Sequence, residues 1–110
     1  MKVSANNGAK EHEAASFEMV SDGRARVGGA LAFGTVTALL PTGSEAIEHG
    51  RAAAIDLASV TASDSAGLAL LIEWLSVAQA AGHPLHYENV PSQLRQLGSL
   101  SDVDDLIGAS

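Results

Sequence analysis

The chain predicts an α/β domain, a small mixed sheet with helices packed on one side. Three observations predict it. Strand-length apolar runs and helical segments follow one another in the order β-β-α-β-α-β-α. The first two strands are joined by Asp22-Gly23, a two-residue hairpin signal, whereas the later ones are separated by helix-length stretches that call for right-handed parallel crossovers. Finally, 110 residues, 46% hydrophobic and 17% charged, suit one folded domain with a single core. Seating helix faces on the sheet is then the dominant stabilising effect, at about 25 cal/mol per Å² of apolar area.

Residues 1–15 are polar and lack a hydrophobic period, which predicts a flexible tail ahead of one domain over 16–110. Residues 16–21 alternate with Phe17 and Met19 on one side. Residues 24–31 alternate with Ala25, Val27, Gly29 and Leu31. Gly23 accepts the positive φ that the tight turn between them requires. A short helix is predicted over 33–40, with Thr35 near its start and Pro41 limiting its end. The polar stretch 42–50 admits a further helical turn. Residues 52–57 read as a central strand and 58–64 as the segment leading into the longest helix, Ser65–Ala81. Gly82 and Pro84 stop that helix. A fourth strand is predicted over 85–90. Pro91 opens a last helical region in which Leu94, Leu97 and Leu100 recur every third residue, and one more turn is predicted over 104–107.

Composition narrows the function. Thirteen acidic against six basic residues give a formal charge of −7, a field that repels nucleic acid and anionic lipid headgroups. The absence of cysteine excludes disulfides and thiol chemistry and fits a cytoplasmic location. Residues 1–15 lack the apolar centre of a secretory signal, and residues 66–81, which carry Glu73 and Gln79, are too short to span a bilayer. Any work at a membrane would pass through another protein. His12, His49, His83 and His86 show no metal-ligand spacing, no nucleophile elbow is present, and Val27-Gly28-Gly29-Ala30 lies within a strand instead of forming a phosphate loop. No cofactor and no enzymatic activity are expected.

The informative residue is Ser65, where a strand ends and the long helix begins. Unpaired backbone N–H groups and the positive end of the helix dipole converge there. The hydroxyl suits helix capping, phosphate attachment or contact with a partner. Asp64 is an alternative cap, which would make Ser65 the first helical residue. Gly67 permits close approach of the helix start to a neighbour, and Asp56 is either an orienting carboxylate for the loop or an ordinary strand-end acid. The long helix also carries two apolar stripes. Leu68, Leu71, Ile72 and Leu75 are enough to seat it on a sheet, while Leu70, Trp74, Val77 and Ala81 form a second stripe. This second stripe either packs under a neighbouring segment or offers an exposed patch with Trp74 as anchor.

The run Ile55-Asp56-Leu57-Ala58-Ser59-Val60-Thr61-Ala62-Ser63-Asp64-Ser65-Ala66-Gly67-Leu68 resembles the signature of STAS domains, named for sulfate transporters and anti-sigma factor antagonists. The resemblance covers residues 16–107 and implies a mixed sheet of four or five strands with helices packed on it. Within that family, Gly29-Ala30-Leu31-Ala32-Phe33-Gly34-Thr35-Val36, Ala66-Gly67-Leu68-Ala69-Leu70-Leu71-Ile72-Glu73-Trp74 and Val90-Pro91-Ser92-Gln93-Leu94 look like the small cytoplasmic subunit of the Mla phospholipid ABC transporter. That resemblance implies a non-catalytic subunit, peripheral to the inner membrane, which binds the ATPase within a complex containing a membrane permease. It helps keep the outer membrane asymmetric. Ser65 would be the contact or phosphorylation residue, with Ser63, Asp64, Ala66, Gly67, Leu70, Trp74 and Val77 as further partner contacts and Asp56 as support. The alternative that the family implies is an anti-sigma factor antagonist switched by a serine kinase at Ser65. Here Ala66 stands where such antagonists usually carry a second hydroxyl.

Overall fold

The computed structural model describes residues 15–100. The tail expected over 1–15, apart from Ala15, and the turn expected at 104–107 lie outside the described residues. Strands β1 (Ala15–Ser21) and β2 (Gly23–Leu31) form the hairpin, with Gly23 at φ 78°. Helix α1 (Val36–Glu48), strand β3 (Ala52–Ser63), helix α2 (Ser65–Ala81), strand β4 (His86–Glu88) and helix α3 (Ser92–Leu100) follow. The order is the one that the sequence predicts.

The four strands lie side by side in chain order, β1-β2-β3-β4. The first pair is antiparallel and the next two are parallel. Two successive right-handed crossovers that step the same way across a sheet leave their helices on the same face. That face is apolar: Ala25, Val27, Ile55, Leu57 and Tyr87 are buried under the helices. Their alternate neighbours Arg24, Arg26, Asp56 and Glu88 fall on the opposite face, uncovered by any described helix, where Arg24 pairs with Glu88 and Arg26 lies 3.8 Å from Glu18. Tyr87 closes the core from the edge strand, its hydroxyl donating to the Leu71 carbonyl at 2.6 Å. Burial holds that phenol well above its ordinary pKa, so it remains a neutral donor.

Several boundaries differ from the sequence reading, the start of α1 at Val36 instead of residue 33 among them. Helix α1 runs through Pro41 to Glu48 and is not limited by it. Proline removes the donor that would serve the Thr37 carbonyl, but Thr37 and Pro41 are both exposed, so water can serve it instead. The rest of the helix is held by Leu39, Gly43, Ala46 and Ile47, which are buried. Thr35 occupies the cap position without capping: its hydroxyl donates to the Ala30 carbonyl at 2.7 Å and accepts from the Ala32 N–H, closing the turn after β2. Strand β3 continues past Leu57 to Ser63 because β2 offers pairing all the way to Leu31, with three shifts of register on the way. Strand β4 is shorter than 85–90 and ends where Asn89 takes φ 56°.

The stop of α2 follows the expectation, with Gly82 in the left-handed region at φ 74°. Helix α3 contributes Leu94, which is fully buried.

Candidate functional site

Where β3 ends and α2 begins, Asp64 is the cap and Ser65 the first helical residue. The Asp64 carboxylate accepts from the Ala66 N–H at 2.8 Å, and its carbonyl accepts from Gly67 and Leu68. Its own N–H donates to the Leu31 carbonyl, which ties the junction to the end of β2. The cap being taken, the Ser65 side chain is exposed, and among the described residues its hydroxyl has no hydrogen-bond partner.

The residues on either side of Ser65 divide into those that build the corner and those that face outward. Gly67 is buried, and a Cβ there would lie 2.2 Å from Ser63 Oγ, 2.8 Å from Leu31 Cβ and 3.0 Å from the Leu31 carbonyl. Only glycine lets α2 start this close to β2. Ser63 is 6% exposed. Its N–H donates to Gln93 Oε1 at 3.0 Å, so the first turn of α3 braces the end of β3. Ser63 and Gly67 therefore lack the free side chains that a contact role would require. They hold the corner and do not present it.

Trp74 requires the same correction. It is fully buried, because helix α1 covers the second apolar stripe of α2. Its indole lies against Gly43, where a Cβ would sit 2.2 Å from Cζ2, and its N–H donates to the Leu40 carbonyl at 3.2 Å. Phe17 of β1 meets it edge-on, with ring centroids 5.7 Å apart. The residue expected as a partner anchor instead fastens three elements together. Leu70 is 4% exposed and Val77 partly buried, so the stripe as a whole is not an open patch.

Asp56 lies away from this corner, on the uncovered face of the sheet. Its carboxylate accepts from the Asn89 side chain and the Ala58 N–H, each at 2.9 Å. Those two bonds, first that from Asn89, hold its pKa below the ordinary carboxylate value, with Arg24 and Arg26 adding to the effect against some desolvation. It fixes the loop after β4, a supporting role.

Beside Ser65 lies a groove of about 580 Å³ between α1 and α2 that the sequence did not reveal. One wall consists of Phe33, Val36, Thr37 and Leu40. The other consists of Ser65, Ala66, Ala69 and Glu73, with Leu70 at the base. Phe33 is 84% exposed and Leu40 37%. Sequence reasoning placed Phe33 inside a helix; the structure sets it in the turn before one. The signal that was available is the apolar Phe33, Val36 and Leu40, spaced three and four residues apart and beyond what the core needs.

Among the described residues no group of three or more His, Asp or Glu side chains is arranged to hold a metal ion. No helix among them is long and apolar enough to cross a membrane.

The family profile described as "Mlab, STAS domain" matches residues 18–108. Two solved structures share the fold. The anti-sigma factor antagonist SpoIIAA in its unphosphorylated form superposes with a TM-score of 0.65 at 20% identity, over 83% of each chain. The Bacillus cell fate determinant SpoIIAA in its phosphorylated form gives 0.63 at 20% identity, over 83% of this chain and 86% of that one. At that identity the likeness is one of fold. No curated protein sequence matches the chain.

Proposed function

The chain belongs to the STAS domain family, whose members mediate contacts between proteins, and we propose that it is a non-catalytic accessory subunit of a phospholipid-transporting ABC transporter. In this reading it docks on the ATPase subunit at the inner-membrane surface, in a complex with the membrane permease, and favours the assembled or active ATPase by binding that state better. The observation that carries the reading is the exposed Ser65 hydroxyl, without a hydrogen-bond partner among the described residues, at the mouth of an apolar groove. A rigid corner that offers an exposed hydroxyl beside exposed Phe33 and Leu40 suits recognition, since polar groups fix register while apolar contacts supply affinity. The family profile's description points to the Mla system. Asp64, Ser65, Ala66 and the accessible edge of Leu70 are the contacts expected to take part.

The test is capture of partners from native extract by the tagged protein. An ABC ATPase with its permease is expected to co-purify with the wild type. Ser65→Glu and Phe33→Ala are each expected to reduce recovery about tenfold, equivalent to about 1.4 kcal/mol, with unchanged circular dichroism. Undiminished recovery with both variants removes this docking surface.

A second reading has its own observation. An exposed serine hydroxyl at the first position of a helix is open to a kinase. Phosphorylation would add about −1.5 to −2 charge units, favoured by the helix N-terminus and opposed by Asp64. In that case the chain is an anti-sigma factor antagonist. Capture of a kinase-like protein, together with a mass increase of one phosphate on Ser65, supports it over the transporter.

A further inference from the structure

The groove beside Ser65 specifies more than a place to dock. On one wall, Val36, Thr37 and Leu40 project from the first turns of α1, with Phe33 in the turn just before it. On the other, Ala66, Ala69, Leu70 and Glu73 stand at i, i+3, i+4 and i+7 of α2. Trp74 against Gly43 closes the space between α1 and α2 at one end, and the groove runs from there toward the two helix N-termini. Two neighbouring ridges of helical period form a trough that a third helix fits.

Charge then limits what that helix can be. Glu73 is the groove's one ionisable residue, it is exposed, and it has no ion-pair partner among the described residues. A wholly apolar occupant would cover this carboxylate and leave it unpaired, which is costly. An acidic occupant would be repelled by Glu73 and by the −7 charge of the chain.

We propose that the groove takes an amphipathic helix of the partner protein, with aliphatic side chains seated between Phe33 and Leu40 and a Lys or Arg paired with Glu73. The inference rests on the reading of the Ser65 corner as a docking surface and names the chemistry of what docks there.

The test is nuclear magnetic resonance titration of the isotope-labelled full chain with two synthetic helical peptides. Both carry the same leucine stripe, one with lysines and one with glutamates on its polar face. The lysine peptide is expected to shift the amides of residues 33–40 and 65–73, while the glutamate peptide leaves them in place. Glu73→Gln is expected to weaken the lysine peptide about tenfold. Glu18→Gln, which removes the same charge from the uncovered face of the sheet, is expected to change affinity less than about twofold, its effect being screened by salt.

Equal weakening by the two variants would reveal unspecific attraction to an acidic chain and overturn the proposal. A response to both peptides alike, or shifts confined to other residues, would do the same. So would shifts of these same amides that grow with protein concentration in the absence of peptide, since a second copy would then be the occupant. If the lysine peptide fails while Ser65→Glu still releases the ATPase from the native complex, the helix and its cation are removed and the docking reading stands. If the peptide result holds while no ATPase is captured, the groove keeps its specificity and the transporter assignment is lost.

Discussion

Gly67 and Ser65 are two residues apart and play opposite parts, which only their surroundings distinguish. Replacing Gly67 with alanine would drive a methyl group against the Ser63 hydroxyl and the Leu31 Cβ and carbonyl, which the sheet holds in place. Overpacking of that kind costs about 1–3 kcal/mol, so Gly67→Ala is expected to lower the urea midpoint clearly, whereas Ser65→Ala should leave it almost unchanged. Asp56 gives a prediction in pH. Its folded pKa is depressed, first by the Asn89 bond and then by that from Ala58. The unfolded carboxylate titrates near about 4. The stabilising contribution is therefore complete above that value and is lost as pH falls through the folded pKa. Asp56→Asn should be less stable than wild type at neutral pH, with the gap narrowing in acid, as read from urea midpoints at a series of pH values. The sequence displayed Ser65, Asp64 and Gly67 together at a strand-to-helix junction. Which of them caps, which packs and which stays free depends on Leu31 and Gln93, 34 and 28 residues from Ser65, and no local pattern encodes them.

At the scale of elements, the joint between α1 and α2 is the least legible feature. Trp74 sits in a flat recess that exists because position 43 is glycine. Glycine adds nothing to an apolar periodicity, so the sequence pattern limited the first stretch of α1 at Pro41, admitted only a further turn over 42–50, and left open whether the indole is covered or exposed. The joint also holds β1 through Phe17. Removing so large a buried side chain typically costs about 3–5 kcal/mol. Trp74→Ala is thus expected to lower thermal stability severely, as followed by far-ultraviolet circular dichroism. A loss of partner binding in that variant would report unfolding and not a lost contact. Strand β3 teaches a related lesson. Its second half, from Ala58 to Ser63, is mostly small or polar and pairs with Gly28, Gly29, Ala30 and Leu31, so it lacks the continuous apolar run that marks 52–57. Val60 and Thr61, both β-branched, were the available hint.

For the whole molecule, the order of elements, the hairpin and the crossovers followed from turn chemistry and the alternation of periods. The covering of the sheet by helices on one side followed as well, whereas the charged row of Arg24, Arg26, Asp56 and Glu88 on the other face emerged only with the pairing of the strands. The groove could not be read, because a space between two helices belongs to neither. The sheet whose spatial sequence copies its chain sequence has one more consequence. A polypeptide leaving the ribosome can add each strand to the edge of the one before, and needs no later segment to be threaded between two already placed. Most of the Ser65 corner is synthesised by the time α2 emerges. Its brace arrives last, when Gln93 reaches the Ser63 amide. A nascent chain cut short before that residue would carry the Ser65 corner on an unsecured hinge, so the order of synthesis leaves the corner unbraced until α3 begins to form.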